Sequence, residues 1–457
     1  MSPPAAWTNH LSGPFDAIPR VDPYLVWAEA MRYRDFGDFG DFDDAGDAFA
    51  GRIPVAIELK RGACTAQSFA RLIDSRGWND SNIADELTRV IERFTLGVPN
   101  GTDKRVLDMK HETIAPAPVR DDIGRVIVGV CDDDIAFAHR RFFEDASGMR
   151  TRFQCFWNQD DQANNAAGLG YGSELLKTQM DERLRRAHRV GQASHEEGVY
   201  RIADYAGHAP VIDDEPHLSP LPLIGVQFGN ARCALRDAAG LRLDVQALDA
   251  VRYIVKRAQD TCGSACHALV NLSYGQLSGP RDGSSLIESA LDELMDTGAC
   301  SIVMPSGNRH LSRCHGAVTI VDETPLRWRV PHDSDAPSFV EIWFPANAPD
   351  PQVDVRITPP DGTDGASSAW IRRGEYATLA DDGDTFCTVV HRGRGARGDG
   401  HMILIALAPS MTRQASRKGA SAGDWLIQLR NRGAAKANAV YYCARHASLC
   451  RVTHPRA

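Results

Sequence analysis

Apolar residues in the middle of the chain follow strand and helix spacings in turn. VIVGV, at residues 126–130, is apolar on both faces, as in a parallel strand covered by helices on each side. LDVQALDAVRYIVKRAQ has the spacing of one helical face and leads into the strand-like ACHALVNLSYG. SSLIESALDELMDTG, with a capping box at Ser285 and Glu288, then leads into CSIVMPSGN. This order predicts right-handed crossovers and a doubly wound, parallel α/β core over residues 119–322.

Two different patterns precede this core. Residues 1–50 are poor in aliphatic side chains and include FGDFGDFDDAGDAF, which favours a flexible tail over a sticky interaction segment. Residues 51–118 combine strand-like IPVAIELK and KRVLDMKHETI with helix-like AQSFARLIDSRGW and SNIADELTRVIERFT. We expect a small α+β module there, either a pro-segment or an N-terminal scaffold.

The helical period disappears after Thr324. Six short alternating or β-rich runs follow, separated by Gly, Pro and Asp: LRWRV, FVEIWF, VDVRI, HMILIALA, WLIQLRN and AVYYCA. This pattern predicts a β-sandwich or jelly roll over residues 323–457.

Composition narrows the class of partner. The formal net charge of -9 argues against binding to nucleic acid or to an anionic membrane. No segment approaches the roughly 18 consecutive apolar residues that a membrane span needs. The start, MSPPAAWTNH, lacks the pattern of a secretory signal, so the chain as written is expected to be soluble and cytoplasmic.

The 11 cysteines are irregularly spaced, which does not suggest a disulfide framework and fits a reducing compartment better. Cys262, Cys266 and His267 could form half of a metal site, but the sequence has no second pair of ligands at the spacing of a zinc finger. We therefore expect packing thiols at these positions. We predict no metal and no cofactor.

Three acidic residues, Asp132, Asp133 and Asp134, stand where the strand at residues 126–130 should end. Alone, they favour a solvated acidic loop before a helix near Ala136. In open α/β sheets, however, catalytic groups gather at the carboxyl ends of strands. Other parts of the chain have to decide between these two interpretations.

Several stretches together resemble the sequence blocks of subtilisin-like serine peptidases, the subtilases. VGVCDDDIAFAHRRF resembles the aspartate block, LVNLSYG the substrate-binding strand, and IVMPSGNRH the block that carries the oxyanion-hole asparagine. PLIGVQF resembles the strand that follows the histidine helix. The blocks cover roughly residues 119–320 in the family's order.

The resemblance implies a role for each matching residue. Asp132 would orient a catalytic histidine, and Asn308 would donate its side-chain amide to the oxyanion. Ser273, Tyr274 and Gly275 would present backbone to an extended peptide, which would bind as an added strand. The expected partner is a polypeptide substrate or peptide ligand, and the sequence leaves the oligomeric state open.

The sequence departs from the family at the histidine block. The matching stretch is ASHEEGVYRIADYAGHAP, where Gly198 takes the catalytic position. His195 lies about one helical turn earlier, and His208 lies beyond the expected end of the helix, so His195 is the better candidate. Asp134 stands where the family usually has glycine, and a carboxylate there would raise the pKa of Asp132.

The family's serine block is also missing. No Gly-Thr-Ser-Met-Ala type turn follows Asn308, and the nearest string, GASAG with Ser421, precedes a strand-like run. The unusual ending YYCARHASLCRVTHPRA suggests truncation or a frame shift. We expect a serine endopeptidase relative with little or no hydrolysis. The alternatives are a non-catalytic relative that binds peptides or a partner peptidase, and a nonfunctional fragment.

Overall fold

The computed structural model describes residues 5–10, 21–32, 55–65, 68–69, 71–72, 83–96, 125–132, 135–159, 172–187, 199, 221–228, 243–275, 278–307, 314–334, 336–348, 350–360, 367–393, 398–411, 418–444 and 451–453. The helices of these residues are α1 (Pro23–Ala30), α2 (Ile83–Val90), α3 (Lys177–Ala187), α4 (Asp244–Cys262) and α5 (Leu286–Asp296). The first nine strands are β1 (Ala6–His10), β2 (Val55–Leu59), β3 (Ile91–Leu96), β4 (Val126–Asp132), β5 (Phe153–Asn158), β6 (Ser173–Leu176), β7 (Leu223–Gln227), β8 (His267–Leu272) and β9 (Cys300–Val303).

Ten more strands follow: β10 (His315–Ile320), β11 (Glu323–Val330), β12 (Ser338–Phe344), β13 (Val353–Thr358), β14 (Tyr376–Asp381), β15 (Asp384–Arg392), β16 (His401–Leu407), β17 (Gly423–Asn431), β18 (Ala437–Ala444) and β19 (Arg451–Thr453). The fold is therefore mixed α/β, with several sheets and few helices. Within the described residues, no helix is both long enough and apolar enough to cross a membrane.

A six-stranded sheet forms the α/β part of the molecule. Its strand order is β6-β5-β7-β4-β8-β9. Strands β5, β7, β4, β8 and β9 are parallel, and β6 pairs antiparallel with β5 at one edge. Because β4 is central, the residue that ends it lies at the middle of the carboxyl edge.

Apolar clusters cover both faces of this sheet. One cluster joins Ile127 and Cys131 of β4 to α4 and α5. On the other face, Val128 and Val130 pack against a cluster that includes Phe137 and residues of α3. Gly129 permits close packing of α4, since a Cβ there would lie 2.6 Å from Cγ2 of Ile254. The run VIVGV is apolar on both faces because each face meets a different layer.

The predicted elements around β8 are confirmed. α4 and α5 occupy the two helix-like runs, and β8 and β9 follow them as predicted. The capping box at the start of α5 is present: Ser285 Oγ accepts from the Glu288 N–H at 3.3 Å, and Glu288 Oε2 accepts from the Ser285 N–H at 3.1 Å.

The helix expected near Ala136 is not formed. Residues 135–143 are irregular apart from one 3₁₀ turn at Arg140–Phe142. Ile135, Ala136, Phe137 and Ala138 are all buried, so this run has no polar face to give to solvent. It packs as an apolar segment against the sheet.

Two antiparallel sheets form the C-terminal part of the molecule. One has the order β1-β14-β15-β16-β12-β18-β10, and the other has the order β13-β17-β11-β19. A single apolar cluster contains residues of both, including Trp328 and Trp425 from the smaller sheet and Ile342 and Ile405 from the larger. The six predicted β-rich runs fall in β11, β12, β13, β16, β17 and β18. The larger sheet also takes in β10, which begins eight residues before the predicted boundary at 323.

The N-terminal residues differ from the expected flexible tail. β1 pairs with β14, and α1 lies in the core shared by the two antiparallel sheets. Tyr24 and Trp27 are completely buried and pack edge-on against Phe339, with ring centroids 5.1 and 5.0 Å apart. Asp22 caps α1 by accepting from the Tyr24 N–H at 3.0 Å. This segment is thus part of the C-terminal core.

The module at residues 51–118 contains an antiparallel pair of strands, β2 and β3. β2 lies in the predicted strand IPVAIELK. The long helix predicted from SNIADELTRVIERFT is wrong in its second half, because the helix ends at Val90 and Ile91 begins a strand. Ile91 and Arg93 are buried and alternate with less buried neighbours, which fits a strand with one covered face. The predicted strand KRVLDMKHETI lies outside the described residues.

Candidate functional site

The carboxyl edge of the parallel sheet brings together two of the predicted site segments. Asp132 ends β4 and stands opposite Gln227 of β7. On the other side of β4, Cys131 is in register with Leu272, and its carbonyl oxygen accepts from the Ser273 N–H at 2.9 Å. The predicted substrate-binding segment therefore begins directly beside the strand that carries Asp132.

Residues 273–275 differ in what they expose. Tyr274 is 4% exposed, and its hydroxyl donates to Asp244 Oδ1 at 2.6 Å, so its side chain belongs to the core. Ser273 is half-buried, and its Oγ accepts from Asn271 Nδ2 at 3.1 Å. Gly275 is exposed, and a Cβ added to it would meet nothing within 4 Å. The segment thus offers an open backbone at Gly275 and an anchor at Tyr274.

β9 leads to the third predicted segment. It pairs in parallel with β8, with Val303 opposite Asn271. Residues 304–307 leave the sheet at the same carboxyl edge, two strands away from Asp132, and Gly307 has a φ of 92°. Asn308 itself lies outside the described residues, so its predicted role stays a prediction.

The remaining predicted catalytic positions also lie outside the described residues. These are His195, His208, Asp133 and Asp134. The described residue closest to His195 in the sequence is Val199. It is completely buried in the apolar cluster that covers the Val128 face of the sheet. The identity of a working base therefore stays a prediction.

The Cys131 thiol, which directly precedes Asp132, is not an available nucleophile. Burial raises the pKa of the Cys131 thiol far above its usual value, and the charge of Asp132 raises it further. The thiol therefore stays protonated and unreactive. Ser421 lies before β17 in the smaller antiparallel sheet, and its carbonyl oxygen accepts from Trp425 Nε1 at 2.8 Å.

Cys262 and Cys266 form a disulfide with each other, where packing thiols were expected. The ring nitrogens of His267 lie 3.1 Å from the Gly298 carbonyl oxygen and 3.0 Å from Ser301 Oγ. The described residues contain no group of three or more His, Cys, Asp or Glu side chains that could hold a metal ion.

Asp244 is a partner of the site that no sequence pattern indicates. This residue is the first of α4, it is 4% exposed, and it anchors Tyr274. An acidic residue in the first turn of a helix is common because it interacts favourably with the helix dipole. The sequence alone therefore does not show that Asp244 also holds the segment after β8 in place through Tyr274.

Comparison with solved structures finds a protease of similar fold. The structure of the Clostridium perfringens CspB protease matches with a TM-score of 0.52 and 17% sequence identity. The match covers 73% of this chain and 65% of that one. No protein-family model matches the sequence, and no curated protein matches it significantly. The chain therefore shares a fold with a protease at low sequence identity.

Proposed function

We propose that this chain is a member of the subtilisin-like serine peptidase family that binds an extended polypeptide at the carboxyl edge of its parallel sheet. One observation carries the proposal. Asp132 and the segment with the open backbone at Gly275 follow adjacent strands, β4 and β8, at one edge of a parallel sheet, in a chain whose fold resembles that of a protease. The sequence places Asn308 just beyond the neighbouring strand.

The proposed doubly wound core is supported by the strand order. Numbered along the chain, the five parallel strands lie in the order second, third, first, fourth, fifth. The order reverses at β4, and ligands of open α/β sheets bind at such a switch point. Asp132 stands at this point.

We also propose that the residues of this sequence carry out little or no hydrolysis. Acyl transfer needs a nucleophile whose proton is taken by an adjacent base. The sequence has no serine block after Asn308, and Ser421 lies just before β17 in the smaller antiparallel sheet. Peptide binding by the exposed segment does not need these groups.

A fluorophosphonate probe tests the missing nucleophile. We expect no labelling of the purified protein, because the sequence has no serine block after Asn308. The control is a catalytically competent serine peptidase labelled in parallel. Labelling that is lost in Ser421→Ala would contradict this part of the proposal.

Binding of fluorescein-labelled β-casein, an unstructured polypeptide, tests the peptide site. We expect saturable binding that Gly275→Val weakens, because the new side chain has space in the fold but blocks an incoming strand. Thr319→Val, at an exposed position of β10, is the matched control. Equal affinities of the two variants would exclude the segment as the binding site.

A further inference from the structure

Glu341 in β12 is a completely buried carboxylate with three hydrogen-bond donors. The Tyr24 hydroxyl donates to Oε1 at 2.7 Å. Oε2 accepts from the Gly279 N–H at 2.8 Å and from Trp343 Nε1 at 2.7 Å. A carboxylate is costly to bury unless hydrogen bonds replace those of water, so each donor contributes to keeping Glu341 in place.

The three donors come from three parts of the molecule. Tyr24 belongs to α1 in the N-terminal segment, and Trp343 belongs to β12 in the larger antiparallel sheet. Gly279 lies in the connection between β8 and α5, here called the crossover loop (residues 278–285). Glu341 therefore joins the N-terminal segment, the C-terminal sheets and the α/β part at one point.

The crossover loop packs directly on the C-terminal sheets. The Arg281 guanidinium lies 4.7 Å from the centre of the Tyr442 ring. The Asp399 N–H donates to Ser284 Oγ at 2.8 Å. Gly398 fits closely, since a Cβ there would lie 2.7 Å from Cγ of Pro280. The loop is thus held by contacts along its length, and Glu341 adds a buried carboxylate that binds its backbone at Gly279.

The crossover loop continues the proposed peptide-binding segment. Gly279 comes four residues after Gly275. On the other side of Gly275, Tyr274 is anchored to Asp244 by a bond of 2.6 Å. Along the chain, the open backbone at Gly275 is therefore flanked by two anchored residues. Tyr274 is bound to the buried carboxylate of Asp244, and Gly279 is bound to that of Glu341.

We infer that Glu341 is a positioning residue for the peptide-binding segment, and that Tyr24 couples the N-terminal helix to that segment through it. Loss of the Tyr24 hydrogen bond leaves Oε1 of Glu341 without that donor. The Glu341 side chain is then less firmly placed, and its hydrogen bond with Gly279 weakens. The inference rests on the proposed function for the role of the segment, whereas the coupling itself rests on the hydrogen bonds alone.

Tyr24→Phe tests the coupling, because it removes the hydroxyl and keeps the ring that packs on Phe339. Tyr253→Phe is the matched control, since its hydroxyl also donates to a carboxylate, Glu174, at 2.7 Å. Native-state hydrogen exchange measured by mass spectrometry should show residues 278–285 exchanging about tenfold faster in Tyr24→Phe than in Tyr253→Phe. Equal exchange in the two variants would overturn the inference.

The second readout is the affinity for fluorescein-labelled β-casein. We expect weaker binding by Tyr24→Phe and by Glu341→Gln, and unchanged binding by Tyr253→Phe. Faster exchange in the crossover loop with unchanged affinity would overturn the positioning role. If the unaltered protein does not bind casein at all, the proposed function fails, and the exchange experiment still decides whether Tyr24 controls the loop.

Discussion

His391 of β15 is a buried histidine whose proton affinity makes the C-terminal sheets sensitive to acid. Its pKa is lowered to about 3, mainly by burial and also by the charges of Arg373 and His401. A backbone hydrogen bond with Ile371 and the charge of Asp354 oppose this shift. The folded protein therefore keeps this ring neutral at pH values where an exposed histidine is charged.

The pH dependence follows from the sign of that shift. Because the pKa in the folded state lies below the unfolded value of about 6.5, the unfolded state binds the proton first. The contribution of His391 to stability is fully present above about pH 6.5, and it is lost progressively as the pH falls towards 3. Between pH 7 and pH 5, the free energy of unfolding of both proteins should fall. We expect the fall to be about 1–2 kcal/mol smaller in His391→Gln than in the unaltered protein, measured by urea unfolding. Parallel curves for the two proteins would contradict this, and His315→Gln, at an exposed position of β10, is the control.

At the scale of single residues, the sequence predicts the ends of strands better than it predicts side-chain partners. Asp132 and residues 273–275 were placed at strand ends because the apolar runs before them end there. The buried acids Glu341 and Asp244 could not be recognised, because a buried acid and an exposed one look the same in a sequence. Tyr24 and Glu341 are 317 positions apart, so no local pattern links them.

At the scale of elements, the disulfide closes the junction between α4 and β8. Cys262 is the last residue of α4, and Cys266 directly precedes β8. Gly263 between them has a φ of 87°, a left-handed conformation that ends the helix. The bond therefore fixes the turn that feeds the strand leading to Ser273.

Removing this bond should destabilise the protein modestly. A covalent loop of this small size restricts the unfolded chain by about 2 kcal/mol. We expect the double variant Cys262→Ala, Cys266→Ala to lose about this amount in urea unfolding, and dithiothreitol to affect only the unaltered protein. Cys64→Ala, which removes a free cysteine, is the control. An unchanged stability of the double variant would show that the bond does not restrain the junction.

The elements that the sequence predicted well are those whose pattern is long and regular. α4 has 19 residues and α5 begins with a capping box, so both stand out from their surroundings. The change from α2 to β3 at Ile91 was missed because the apolar residues on either side fit a helical face as well as a strand. The partner strand β2, more than 30 positions earlier, decides the outcome.

At the scale of the whole molecule, the eight residues of α1 help to fill the core of the C-terminal sheets. The local pattern is weak here, because a short apolar run in a polar region resembles a flexible tail. Its helical structure is stabilised by burial against residues more than 300 positions later, such as Phe339. Tertiary packing of this kind cannot be read from local composition.

Substitution of Trp27 tests how much α1 contributes to the stability of the core. It is completely buried, so Trp27→Ala should cost about 3–5 kcal/mol in chemical unfolding. Trp370→Ala is the matched control, because Trp370 is half-buried between Arg356 and Arg430. We expect a clearly smaller loss there. Similar losses in both variants would show that α1 is not an integral part of the core.

The pairing of β1 with β14 joins Ala6 to Ala380. The ribosome makes β1 hundreds of residues before β14, so β1 stays unpaired until residues 376–381 have been made. Contacts between such distant positions slow folding and leave apolar surface open in the meantime. The larger sheet is therefore completed late in folding, because β1 has to wait for β14 before it can join the sheet.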